Sequence, residues 1–209
     1  MISLHPAICA GVASIRTVET DGLLYDETGS VRKSSLLQLC YRILDQDMNV
    51  LMYGNGYIKD HGCDLMKMDP YVFNMHCSSG VIQNIQFGNS IYREDYEDSI
   101  ITNIENVVGS GDVLIPMGNN VQFDVEVIRR AMPKVFKKFH YSYFDVSCMR
   151  NILDNTFPGL APKIYSVKGS NHNAEKDIDE CIREYKIYKE LLTKMESTTK
   201  VMRDYISAT

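Results

Sequence analysis

The order of predicted strands and helices is the feature that most constrains the fold. Strand-forming runs come first, at 8–19, 35–45 and 49–58, and the last two are joined by a predicted hairpin turn at 45–48. Helical spacing then alternates with short apolar runs, which predicts helices at 70–77, 92–108, 123–132, 149–155 and 177–194 and strands at 113–117 and 143–146. Three strands followed by such an alternation predict an α/β fold in which helices flank a mixed sheet.

Composition narrows the class of protein. The 209 residues contain no repeat, low-complexity tract or interdomain linker, so we expect one domain at 1–194 and a polar C-terminal tail at 195–209. The net charge of −5 argues against broad adhesion to nucleic acid, but it is compatible with a small acidic site that holds metal ions. The six cysteines show no C-x-x-C pair and no zinc-ligand spacing, and no signal peptide or membrane span is apparent. A cytoplasmic location is therefore expected.

One segment near the C-terminal end suggests chemistry. His172 precedes Asp177 by five residues, and Asp177 opens a predicted amphipathic helix. A histidine can take a proton from water, and an aspartate is a hard oxygen ligand for Mg²⁺ or Mn²⁺. On its own the pair is also what a solvated helix start looks like. Two further acids, Glu19 and Asp124, lie at the ends of other predicted elements, where they can converge with Asp177 on one site. Converging carboxylates repel one another unless divalent cations neutralise them, so these acids predict a metal site that acts on a phosphodiester.

Several motifs match one family in order and spacing. Residues 118–124 resemble the G-N-S-x-x-x-D motif of oligoribonucleases, 139–147 resemble their H-Y-R-Y-x-D-V-S stretch, and 170–180 resemble their H-x-A-x-x-D-I-x-E ending. The stretches at 45–51 and 76–81 fit two further family motifs, T-D-x-x-L-N-I-L and H-x-x-S-G-L. The resemblance covers about residues 12–192.

This resemblance implies a fold, a chemistry and an assembly. The fold would be the ribonuclease H-like fold of the DnaQ-like 3′–5′ exonucleases, in the branch called DEDDh. Glu19, Asp124 and Asp177 would hold Mg²⁺ or Mn²⁺, and His172 would deprotonate the attacking water. The residues implied to contact short RNA or nucleotides are Leu23, Asn120, Tyr141 and Ser147. The family forms homodimers, and the corresponding contact would lie between His140 and Ser147.

Some positions depart from the family pattern. Thr17, in Thr17-Val18-Glu19, stands where the first aspartate of the D-x-E motif is expected, and a hydroxyl is a poor ligand for a hard divalent cation. Ser142 stands where the family has an arginine that holds the 5′ phosphate of a short RNA, and serine cannot give that charged, bidentate contact. Asn120 replaces a serine of the same phosphate cap, whereas Ser147 is retained.

Two functions from different classes remain open. The first is an oligoribonuclease-like 3′–5′ exoribonuclease that hydrolyses very short RNA with metal assistance, with weak or altered activity. The second is a catalytically degenerate homologue that keeps the fold and the dimer but binds nucleotide, RNA ends or a protein partner without cleaving. Thr17, Asn120 and Ser142 favour the second function, whereas the retained acids and the histidine favour the first.

Overall fold

The computed structural model describes the backbone of residues 7–18, 35–59, 70–157 and 174–208, and the side chains of residues 36–59, 70–157 and 174–195. In chain order the elements are β1 (Ala7–Val18), β2 (Ser35–Leu44), β3 (Val50–Lys59), α1 (Pro70–Ser78), α2 (Val81–Gln86), β4 (Ser90–Tyr92), α3 (Arg93–Val107), β5 (Val113–Gly118), α4 (Val121–Ala131), α5 (Pro133–Phe136), β6 (Phe144–Asp145), α6 (Val146–Thr156) and α7 (Ala174–Ala208).

The strands form one mixed sheet in the order β4-β3-β2-β1-β5-β6. The first three strands pair antiparallel. For β2 and β3 the short turn between them requires this, because a tight connection can join only antiparallel neighbours. The later strands β4, β5 and β6 pair parallel with their neighbours, and a helix lies between successive ones. The predicted α/β fold with a mixed sheet flanked by helices is therefore confirmed.

The turn between β2 and β3 is held by a single carboxylate. Asp45 Oδ1 accepts hydrogen bonds from the backbone N–H groups of Asp47 (2.9 Å) and Asn49 (2.8 Å), and Asp45 Oδ2 accepts one from the Asn49 amide (2.9 Å). Met48 completes the turn with a positive φ of 64°. The Asn49 side chain, followed by its backbone N–H, lowers the pKa of Asp45 below its ordinary value, because these bonds favour the ionised form.

The two faces of the sheet build separate cores. Successive strand residues point to opposite faces, so Leu39 and Tyr41 of β2 pack against α3, α4 and α5 while Cys40 packs against α6 and α7. On the second face, Met117 of β5 and Ile178 of α7 are almost completely buried. Consequently α4 and α7 cover opposite faces of the sheet, and side chains from both can meet only where the sheet ends.

Several elements differ from the predicted ones. The helices α2 and α5 and the strand β4 were not predicted, because each is too short to show a period. Pro133 ends α4 as expected, but it also begins α5. Proline suits the first position of a helix, because the backbone N–H that it lacks would have no helical partner there. Glu97 of α3 caps this short helix by accepting from the Lys134 N–H (2.6 Å), a contact that a local reading of the sequence cannot show.

The C-terminal helix is longer than predicted at both ends. It begins at Ala174 rather than at Asp177, and it continues past Lys194 to Ala208. The predicted division into a domain at 1–194 and a tail at 195–209 stays a prediction, although the backbone of 195–208 is helical. In the ranges that the structure describes, no helix is both long and apolar enough to cross a membrane.

Candidate functional site

The loop between β5 and α4 is the centre of the candidate site. Gly118 ends β5, Asn119 and Asn120 turn the chain, and α4 begins at Val121. Asn120 has left-handed backbone angles (φ 55°, ψ 41°), which asparagine tolerates better than most residues. Its N–H points back toward the start of α6, at 3.2 Å from both Asp145 Oδ1 and Ser147 Oγ. The predicted substrate residues Asn120 and Ser147 are thus brought together.

Asp124 lies in the first turn of α4, directly after this loop. Its side chain is buried, with 7% of its surface exposed. A carboxylate is favoured at that end of a helix, where backbone N–H groups lack helical partners. Val127 and Ile128, one turn further on, are completely buried and fix the helix against the sheet. The backbone that carries Asp124 is therefore well supported.

Asp177 lies in the first turn of α7 and is half-buried. Ala174 and Ile178, on either side of it, are fully buried in the core of that face. Glu184 lies seven residues further along, which places it on nearly the same stripe of the helix as Asp177. Glu184 Oε2 is 3.5 Å from the Asn119 amide nitrogen. The side of α7 that carries Asp177 therefore faces the loop between β5 and α4.

Five polar side chains around Asn119 form a connected cluster, here called the Asn119 network, whose members are Asn119, Ser147, Arg150, Glu184 and Tyr188. Arg150 donates to Glu184 through two nitrogens, at 2.8 Å and 2.5 Å, and also to Asn119 Oδ1 at 3.3 Å. The Ser147 hydroxyl donates to the same Asn119 oxygen (3.3 Å), and the Tyr188 hydroxyl donates to Glu184 Oε1 (2.5 Å). The hydrogen bond to Glu184 raises the pKa of Arg150 above its ordinary value, because it favours the charged guanidinium.

Two exposed tyrosines lie in the segment between α5 and β6. Tyr141 is 91% exposed, and its ring centroid lies 4.0 Å from that of His140. The Ser142 N–H donates to His140 Nδ1 (3.1 Å), which ties this short segment together. Tyr143 is also exposed. An exposed pair of tyrosines of this kind can stack on a base or pack against another protein surface.

The backbone register of β1 bears on the predicted first acid. Gly11 is level with Met117 of β5 and opposite Arg42 of β2, whereas Thr17 is opposite Leu36. The pairing of β1 with β5 ends at Gly11, so Thr17 lies well beyond the end of β5. The sequence from Ala7 to Val18 contains no aspartate or glutamate. The stretch of β1 beside β5 therefore contributes no carboxylate.

The predicted site residues divide into two groups. Asp124, Asp177, Asn120, Tyr141 and Ser147 are placed as given above, whereas Glu19, Leu23 and His172 lie outside the described residues.

Among the side chains that the structure does describe, no three His, Cys, Asp or Glu residues are grouped as a metal site requires. The described donors alone therefore do not fit a metal centre, and the predicted ligand set depends on Glu19.

Sequence reasoning missed Arg150 and Glu184. They are 34 residues apart and lie on different helices, so no local pattern connects them. The one available signal was the seven-residue spacing of Asp177 and Glu184, which puts both acids on one stripe of the helix. Cys181 and Tyr188 lie close to that stripe and are buried, so an acid there calls for a polar partner.

The chain is similar in sequence to several curated oligoribonucleases. It is 28% identical over 173 residues to the oligoribonuclease of Corynebacterium diphtheriae, an alignment that spans 81% of this chain and 80% of that protein. It is 30% identical over 156 residues to the oligoribonuclease of Photobacterium profundum, with 74% and 84% covered. The oligoribonuclease of Mycobacterium sp. (strain KMS) is 30% identical over 166 residues, with 77% and 74% covered. No protein-family profile matches the chain.

The fold has a counterpart among solved structures. The crystal structure of E. coli Exonuclease I in complex with a dA16 oligonucleotide superposes on 90% of this chain with a TM-score of 0.56 at 16% sequence identity. The chain spans 43% of the length of that protein. This likeness confirms the ribonuclease H-like, DnaQ-like exonuclease fold. With the fold and the 30% identical relatives taken together, the chain belongs to the oligoribonuclease family.

Proposed function

We propose that this chain is a 3′–5′ exoribonuclease of the oligoribonuclease type that hydrolyses very short RNA with weak or altered activity. The observation that carries the proposal is the 30% identity to oligoribonucleases over three quarters of the chain. The buried Asp124 supports it, because it lies in the first turn of α4, directly after the loop that follows β5. The half-buried Asp177 also supports it, because it lies on the same stripe of α7 as Glu184, which is 3.5 Å from the Asn119 amide.

Each predicted site residue has a role in this proposal. Mg²⁺ or Mn²⁺ is the proposed cofactor, and it would supply a Lewis acid at the scissile phosphate. The proposed ligands are Glu19, Asp124 and Asp177. His172 is the proposed base that takes a proton from water. The proposed substrate contacts are Leu23, Asn120, Tyr141 and Ser147.

A homodimer is part of the proposal. Tyr141 and Tyr143 are exposed beside His140, in the segment that ends at Ser147. Aromatic side chains of this kind are common at the centres of protein interfaces. A twofold contact through this segment would bring Tyr141 to the substrate site of the second subunit. A cytoplasmic location also stays a prediction.

One observation favours the second candidate, a homologue that binds short RNA or nucleotides without cleaving them. The β1 stretch beside β5 carries no acid, and Thr17 lies beyond the end of β5. Loss of a bridging carboxylate removes both a charge and a ligand from a metal site. Binding through Asn120, Ser147 and Tyr141 does not require that carboxylate.

The two candidates differ in one assay. Purified protein is incubated with a labelled RNA dinucleotide and Mn²⁺, and both binding and release of mononucleotide are measured. His172→Ala and Asp124→Asn are the site variants, and Asp98→Asn, which changes an exposed acid paired with Lys134, is the matched control. If the wild type and Asp98→Asn release mononucleotide and the two site variants do not, the result supports the exonuclease. Binding without release supports the second candidate. The absence of both would refute the two proposals together.

A further inference from the structure

We propose that Arg150 and Glu184 are positioning residues of the site, which act by holding Asn119 and the loop between β5 and α4. Their effect on substrate rests on the proposed function, whereas their effect on the loop can be measured without any substrate.

The ion pair is built for precise geometry. Glu184 accepts from Arg150 at both carboxylate oxygens, and each oxygen also has a second donor, the Tyr188 hydroxyl at Oε1 and the Asn119 amide at Oε2. The Glu184 side chain is 8% exposed and that of Arg150 is 22% exposed. Bidentate pairs of this kind fix direction as well as distance, and partial burial protects them from salt screening.

Asn119 is clamped at both ends of its amide. Its nitrogen donates to Glu184 of α7, and its oxygen accepts from Arg150 and Ser147 of α6. Three segments that approach the site are thereby joined through one side chain. They are the end of β5, the start of α6 and the stripe of α7 that also carries Asp177.

The clamp continues along the backbone to the acid of the site. Asn120 follows Asn119 directly, adopts a left-handed conformation and donates its N–H to Asp145 and Ser147. Val121 then begins α4, and Asp124 lies in its first turn. Val127 and Ile128 hold the body of α4, so a displaced Asn119 would act on Asp124 through the first turn alone, where the loop enters the helix.

Stability alone does not explain a pair like this one. Replacing a partly buried ion pair by uncharged residues of similar volume is often neutral for stability, whereas removing one partner is costly. Positioning and folding can therefore be separated by changing both residues together. The proposed variant is Arg150→Met with Glu184→Gln, because the glutamine oxygen can still accept from Tyr188.

The chain offers a matched control on α4 itself. Arg129 donates to Glu126 at 2.8 Å and 2.6 Å, the same bidentate arrangement, but on the exposed side of the helix. Arg129→Met with Glu126→Gln makes the same chemical change without touching Asn119. A third variant, Asn119→Ala, removes the clamped amide and leaves the Arg150–Glu184 pair in place.

The experiment combines amide hydrogen exchange at residues 119–124, thermal unfolding, and the affinity for a labelled RNA dinucleotide with Mn²⁺. In the Arg150–Glu184 variant and in Asn119→Ala, we expect faster exchange at Asn120 with a Tm close to wild type. We expect dinucleotide affinity to fall roughly 10- to 100-fold, as when the supports of a functional group are removed. The control variant should match the wild type in all three measurements.

Unchanged exchange at residues 119–124 in a folded Arg150–Glu184 variant would overturn the inference, whatever the substrate result. Altered exchange with unchanged dinucleotide affinity would also overturn it, because the loop would then not be linked to binding. If the wild type binds no dinucleotide at all, the proposed function fails, and the exchange data still decide whether the pair positions the loop.

Discussion

An aspartate introduced at Thr17 should strengthen Mn²⁺ binding, whereas one introduced at Ala13 should not. Thr17 stands two residues before the proposed ligand Glu19, so an aspartate at Thr17 completes the D-x-E spacing. Ala13 stands four residues before Thr17 in β1. A strand rises about 3.3 Å per residue, so the two positions are roughly 13 Å apart along the strand.

The expected magnitudes follow from this distance. Two unit charges about 13 Å apart in water interact by about 0.3 kcal/mol, and physiological salt screens most of that. At about 4 Å near a protein surface the same charges interact by about 4 kcal/mol. Ala13→Asp should therefore leave Mn²⁺ affinity within about twofold of wild type, and Thr17→Asp should raise it by about tenfold or more.

Calorimetry with Mn²⁺ tests this on the wild type, Thr17→Asp, Ala13→Asp and the uncharged control Thr17→Asn. Thermal unfolding of each variant shows that it is folded. A gain of affinity in Ala13→Asp, with none in Thr17→Asp, would refute Thr17-Val18-Glu19 as the working counterpart of the D-x-E motif and would place the metal beside the stretch of β1 that pairs with β5.

Three further predictions concern specificity and stability. Ser142→Arg should raise affinity for a 5′-phosphorylated dinucleotide but not for its 5′-hydroxyl form, and the gain should shrink as salt is added, in an anisotropy titration. Gly56→Ala should lower the free energy of unfolding by about 1–3 kcal/mol in urea titrations, because the new Cβ would lie 2.5 Å from the buried ring of Tyr96. Gly111→Ala is the control, since the space around Gly111 is open and the new Cβ should meet no such clash. The pKa of Asp45 is lower in the folded protein than its unfolded-state value of about 4, so ionised Asp45 stabilises the fold above pH 4. This stabilisation is lost as the pH falls through the lower, folded-state pKa. The urea midpoint of Asp45→Asn should therefore depend less on pH below 4 than that of the wild type.

The parts of the fold that the sequence could predict are those that local chemistry determines. The hairpin turn at Asp45, the strand before Gly118 and the end of α4 at Pro133 each depend on residues within a few positions of one another. The short helix α5 was out of reach, because its cap comes from Glu97 on another helix.

The candidate site shows the same limit. Asp124 and Asp177 could be picked out because each begins a helix and each matches a family motif. The Arg150–Glu184 pair could not, because it depends on how α6 and α7 pack. The position of Thr17 relative to the sheet was also hidden, since two irregularities in the pairing of β1 with β2 shift the register before Thr17 is reached.

The outer strand β6 limits how copies of this chain can associate through its side of the sheet. In the sheet that the structure describes, β6 has two residues and pairs with the last two residues of β5. A strand that short presents few backbone donors and acceptors to an incoming strand, so two copies cannot form a long continuous sheet through β6. Any homodimer through the segment from His140 to Ser147, which contains β6, would then be held by side chains. Its strength should accordingly follow the aromatic character of Tyr141 and Tyr143 rather than the β-propensity of the segment.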